Sequence, residues 1–182
     1  APFHFICEAA FVRKNGLGAI RPWPWSPSLS PFVRNGYIAT ARSLPELARK
    51  IGIDPASLTA TVERHNMFAR TGKDTDFGKG STSFNRVWGD PAAGPNPNLT
   101  PIAKAPFVAL PILPATLGTA MGLKTNGDAQ VLDASGAVIP GLFACGNELA
   151  SPMRGFYPGG GITLGPAVVF AYRAVLKALE EV

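Results

Sequence analysis

The 182-residue chain has room for one domain or two small lobes, and its 46% hydrophobic and 16% charged residues suit a packed globular protein and exclude a disordered one. Its net charge of +5 is uneven: residues 1–118 carry 13 Lys/Arg against 7 Asp/Glu, and residues 119–182 carry 4 against 5. No apolar run is long enough to span a membrane, no dense Lys/Arg stripe points to nucleic acid, and Cys7, Cys145, His4 and His65 offer neither a disulfide scaffold nor metal-ligand spacing.

The basic first part either attracts an anionic cofactor or substrate or is a solvated surface. The start, Ala1 to Glu8, lacks the basic stretch and apolar core of a signal peptide, which favours the cytoplasm. Residues 15–36 read as irregular, because Gly16, Gly18, Pro22, Pro24, Pro27 and Pro31 break any period. A short helix follows: Ser43 and Glu46 fit a capping box, Leu44, Leu47, Ala48 and Ile51 give an apolar face, and Gly52 ends it. Asp54 and Pro55 open a second helix, with Leu58, Val62 and His65 on one face and Gly72 as its close. On this pattern His65 is a helix residue, not a catalytic one. Residues 73–105 read as a long loop region.

The remainder is more regular. Phe107 to Leu110 predicts a short strand. Leu123 to Leu132 and Ala137 to Ile139, around the turns Asn126–Asp128 and Asp133–Gly136, predict a small antiparallel meander. Gly141 to Asn147 reads as a buried strand ending in a glycine turn, with Cys145 as a buried small hydrophobe. A long helix is expected from Gly161 or Ile162 to Glu181, with Leu164, Val168, Ala171, Val175 and Leu179 in one apolar stripe. Tyr172 lies mid-helix and reads as packing. The elements give a mixed fold of α+β or α/β class.

The loop entering that helix is Tyr157-Pro158-Gly159-Gly160-Gly161-Ile162-Thr163-Leu164. Glycines let a backbone approach a ligand closely, and a helix start offers free amides and positive potential. The loop is therefore either an anion-binding turn or a tight turn that lets two elements pack. It is not a P-loop, since no Gly-Lys-Ser/Thr is present.

Three blocks together resemble the C-terminal portion of 3-ketosteroid dehydrogenases, in the fumarate reductase/succinate dehydrogenase flavoprotein superfamily. They are Lys104 to Ala109, Val138 to Asn147 and Tyr157 to Ala167. Weaker similarity runs upstream through Gly36-Tyr37, Leu44–Gly52, Asp54–Asn66 and Asp76–Gly80. The resemblance implies FAD as cofactor, with residues 1–118 as the later part of a substrate-binding cap and 119–182 as the returning segment of a flavin domain. The dinucleotide-binding N-terminal half has no match here, so the chain resembles a fragment whose partner would be that missing half. The implied reaction forms a C=C bond next to a ketone of a small-molecule substrate, by proton abstraction and hydride transfer to flavin N5. Tyr157 and the Gly161 amide would hold the ketone oxygen, and the family's proton-abstracting tyrosine has no counterpart here. Gly118, Thr119, Gly122, Leu123, Gly146, Asn147 and Glu148 would lie beside the flavin. Gly161, Ile162, Thr163 and Leu164 would offer amides to its pyrimidine edge.

One departure from the family pattern is Ser151-Pro152-Met153-Arg154-Gly155-Phe156, where ketosteroid dehydrogenases often carry Ser-x-Met-Gly. Arg154 either binds a substrate carboxylate or is a surface arginine. A fumarate-reductase-like enzyme acting on a small unsaturated carboxylate is the alternative. A further one is that the isolated chain is an inactive fragment without flavin.

Overall fold

The computed structural model describes residues 3–116 and 118–180. The chain divides into two compact units, Ala1–Leu113 and Pro114–Val182.

The first unit is a three-stranded antiparallel sheet flanked by helices. Its strands are β1 (Phe3–Glu8), β2 (Ala39–Ala41) and β3 (Phe107–Ile112), with β3 in the middle. Phe5 faces Leu110 across one edge of β3, and Ala39 faces Ala109 across the other. Side chains alternate along a strand, so Val108 and Leu110 join Val12, Ile20 and Ile38 in one cluster, while Phe107 and Ala109 join Ala41 and Leu47 in another. Both faces of β3 are thus buried. Helix α1 (Ala9–Asn15) supplies Val12, and α3 (Leu44–Lys50) supplies Leu47. Helix α4 (Pro55–Thr71) packs Leu58 and Val62 against Ala48.

The local signals for α3 and α4 work as their chemistry requires. The Ser43 hydroxyl accepts from the Glu46 amide at 3.3 Å, and Glu46 accepts from the Arg42 amide at 3.0 Å. Gly52 and Gly72 both adopt left-handed backbone, at φ 73°. The Asp54 carboxylate accepts from the Ser57 amide at 2.7 Å. That bond holds the Asp54 carboxyl below its ordinary value of 3.8. A lowered native pKa means that the cap stabilises α4 fully above the ordinary value and is lost as pH falls through the native one. Acid unfolding of Asp54→Asn should therefore be less steep than that of the parent in this range, as followed by circular dichroism.

Two expectations change. Residues 15–36 contain a short helix, α2 (Ser30–Arg34), because Pro31 sits in the first turn, where its missing N–H is not needed. Residues 73–105 contain α5 (Ser83–Val87), started by Thr82 accepting from the Asn85 amide. The rest of that long segment is held by side-chain amides. Buried Asn96 donates to the carbonyls of Gly72 and Lys79, and Asn66 on α4 exchanges two hydrogen bonds with Ile102. His65 bonds the Thr100 carbonyl at 2.9 Å, so its ring ties helix to loop.

The second unit holds a two-stranded antiparallel sheet, β4 (Gln130–Leu132) with β5 (Val138–Phe143), and α6 (Leu164–Glu180). Thr125 bridges Val131 antiparallel, but Leu123 bridges Leu149 in parallel, so the segment Leu123–Leu132 is only in part a meander. Its core is Val131, Ala144 and Leu149, with Cys145 and Phe170 against it. β5 is exposed along nearly its whole length, and the buried strand expected over Gly141–Asn147 holds only in part: Leu142 is exposed, whereas Ala144 is buried. Cys145 is half-buried and packs on the core without entering it.

Helix α6 begins at Leu164, later than expected, since 160–163 form turns; the expected end at Glu181 lies outside the described residues. Phe170 packs on its unit's core, and Arg173 donates to the Gly127 carbonyl and pairs with Asp128 at 2.7 Å. The stripe of Leu164, Val168, Val175 and Leu179 points away from this contact and is exposed, as is Tyr172, contrary to the packing role expected of it. Among the described residues no helix is long and apolar enough to cross a membrane, and no cluster of metal-ligating side chains occurs.

Candidate active site

The site is built in the second unit, where three segments converge before α6. Residues 118–123 run beside 146–151. The Leu123 amide donates to the Glu148 carbonyl and the Ala150 amide to the Leu123 carbonyl, both at 2.8 Å, and Ser151 donates to Ala120 at 3.0 Å. The Thr119 hydroxyl donates to the Asn147 carbonyl at 2.5 Å. Gly122 lies where these backbones touch: a Cβ there would sit 2.5 Å from the Glu148 carbonyl oxygen. Gly146, at φ 64°, opens a single 3-10 turn (Gly146–Glu148) and lies beside Ala167 of α6.

The third segment is the turn 151–163. Arg154 is one of two described non-glycine residues with positive φ, at 52°, and Gly155 follows at 89°. Left-handed backbone is uncommon for arginine and stores strain, which concentrates at functional sites. The Arg154 guanidinium is exposed and has no partner among the described residues. Tyr157 is 55% exposed, and its phenol is likewise unpaired among the described residues. Gly161, at φ 92°, accepts from the Gly165 amide at 2.7 Å, while its own amide and that of Thr163 have no described partner. A side chain at Gly160 or Gly161 would meet nothing within 4 Å, so the loop leaves open space before the helix.

These segments enclose a cavity of about 200 Å³. Seven of the residues singled out from the sequence line it: Gly118, Thr119, Gly146, Asn147, Tyr157, Ile162 and Thr163. Gly122, Leu123, Glu148, Arg154, Gly161 and Leu164 do not line it, although each adjoins a segment that does. Ser151 and Phe156 line it and were not singled out; their only sequence signal is their place in the turn between two motif blocks. Among the described residues no acidic side chain lines the cavity. Cys7, by contrast, is buried in the first unit's core, where burial first and Glu8 second push its thiol up to about 11, so it is no nucleophile at neutral pH.

The chain matches the FAD binding domain family over residues 5–164. It is 41% identical over 174 residues to a 4-oxocyclohexanecarboxylate 2-dehydrogenase of Sinomonas cyclohexanicum, covering 95% of this chain and 29% of that protein. It is also 41% identical to a 3-oxosteroid 1-dehydrogenase of Mycobacterium tuberculosis over 180 residues, 99% of this chain and 32% of that one. The crystal structure of 3-ketosteroid delta1-dehydrogenase from Sterolibacterium denitrificans, in complex with 1,4-androstadiene-3,17-dione, superposes with a TM-score of 0.91 at 37% identity, covering 100% of this chain and 32% of that one. The chain thus spans about a third of the length of these relatives.

Proposed function

The chain belongs to the FAD binding domain family, and from that premise we propose that it is the later part of an FAD-dependent dehydrogenase that forms a C=C bond next to a ketone. FAD is the family's cofactor. The residues present suit its ring: an open amide at Thr163, clear space around Gly160 and Gly161, and, among the described residues, no acid in the cavity. When bound, the flavin supplies the acceptor for a hydride from the substrate carbon.

The observation that carries the reading is the pair of unengaged donors in one loop, the Tyr157 phenol and the Gly161 amide. Both would donate to the substrate's ketone oxygen. That draws electron density from the carbonyl and acidifies the neighbouring C–H. Thr119 and Asn147 would line the wall beside the ring, and the Thr163 and Leu164 amides would be left for its pyrimidine edge, since the Gly161 amide goes to the ketone and that of Ile162 donates to the Gly159 carbonyl at 3.4 Å. A ketone is the group the named relatives share, as a 3-oxosteroid or a 4-oxocyclohexanecarboxylate. On this reading residues 1–118 belong to a substrate cap and 119–182 to a flavin domain. The exposed β5 and the exposed stripe of α6 support a covering partner, the rest of that flavin domain, since the apolar stripe of a helix normally faces a core.

Arg154 favours a second reading within the same chemistry. Its free guanidinium suits a carboxylate on the substrate, as in 4-oxocyclohexanecarboxylate. The test is dye reduction by the full-length, flavin-loaded protein given a 3-ketosteroid or 4-oxocyclohexanecarboxylate. Turnover of either is expected. A protein with stoichiometric flavin that is inert to both would overturn the ketone reading.

A further inference from the structure

A hollow of about 1080 Å³ lies wholly within the first unit, walled by α1, α2 and the turn around Trp23. Its surface is mostly apolar, from Ala9, Ala10, Pro27, Leu29, Val33 and Pro106. Among the described residues three cations line it, Arg13, Lys14 and Arg34, and no acid does. Lys14 is already paired, with Asp90 at 2.9 Å. Arg13 and Arg34 have neither ion-pair nor side-chain hydrogen-bond partners among the described residues. Like charges gathered in one apolar hollow repel each other and attract an anion. The Trp23 indole, 65% exposed, gives the same hollow a flat wall.

We propose that this hollow binds a flat apolar molecule carrying a carboxylate. The guanidinium groups of Arg13 and Arg34 take the carboxylate, whose two oxygens match the guanidinium fork. The ring system lies against Trp23 and the aliphatic wall. The proposal does not rest on the flavin reading, because every lining residue belongs to the first unit.

The test is titration of the full chain with 2-naphthoate and with its uncharged methyl ester, followed by calorimetry and tryptophan fluorescence. Saturable one-to-one binding of 2-naphthoate is expected, at least tenfold tighter than the ester. The double variant Arg13→Gln/Arg34→Gln should lose at least tenfold in affinity while keeping its circular dichroism spectrum. Trp23→Phe should remove the fluorescence change, and Arg70→Gln, on α4 and outside the hollow, should leave binding unaltered. Equal binding of the ester, undiminished binding by the double variant, loss of binding in Arg70→Gln, or no saturation would each overturn the proposal. Should the double variant unfold, the acid-against-ester comparison on the parent chain still decides it.

Discussion

Replacing Tyr157 with Phe is expected to lower kcat of the flavin-loaded protein by roughly 10²–10³-fold, the usual effect of removing one donor to a developing oxyanion. The substitution deletes one oxygen and keeps the ring. The phenol has no hydrogen-bond partner among the described residues, so its loss strands no internal group. Tyr157 is more than half exposed, so folding should be unaffected. Flavin absorbance should stay stoichiometric while dye reduction with the ketone collapses. Unchanged turnover would remove Tyr157 from the chemistry, and equal loss of flavin and turnover would make it a structural residue. A fall in kcat with little change in KM is the mark of a contact made mainly in the transition state.

The second large effect is expected at Gly122. In Gly122→Ala the new methyl would lie 2.5 Å from the Glu148 carbonyl oxygen and 2.7 Å from the Leu149 carbonyl carbon. Both neighbours are backbone, so no side-chain rotation relieves the clash. The segments would have to part, weakening the Leu123–Glu148 and Ala150–Leu123 hydrogen bonds that close the cavity wall. Overpacking of this kind costs about 1–3 kcal/mol, and each weakened bond adds about 1 kcal/mol more. Gly160→Ala is the control, since its methyl meets nothing within 4 Å and its φ is not positive. Thermal unfolding of the two variants should separate them clearly. A melting point for Gly122→Ala equal to that of Gly160→Ala would show that the wall yields without cost.

The two predictions differ in how far sequence could have reached them. The role proposed for Tyr157 could be drawn from the sequence because the motif that suggests it is short, contiguous and next to a helix start. Gly122 was legible only through what the family resemblance implies, a place beside the flavin. The reason for its glycine is a backbone 26 residues further on, and no local pattern encodes that approach. Ser151 and Phe156 line the cavity for the same kind of reason, through the fold of the turn that joins the blocks.

The sequence by itself determined α3 and α4, each written within a few residues by a cap, an apolar period and a closing glycine. It also determined the open glycine loop after Tyr157, the family, and hence the cofactor. Only the tertiary structure decided what those local signals leave free. It made β3 the doubly buried centre of a sheet, tied Thr119 to Asn147, and left α6's apolar stripe uncovered. It also brought Arg13 and Arg34 to one hollow across 21 residues of chain. Caps and periods are short-range and can be read along the chain, whereas burial and unpaired charge depend on which distant segments meet.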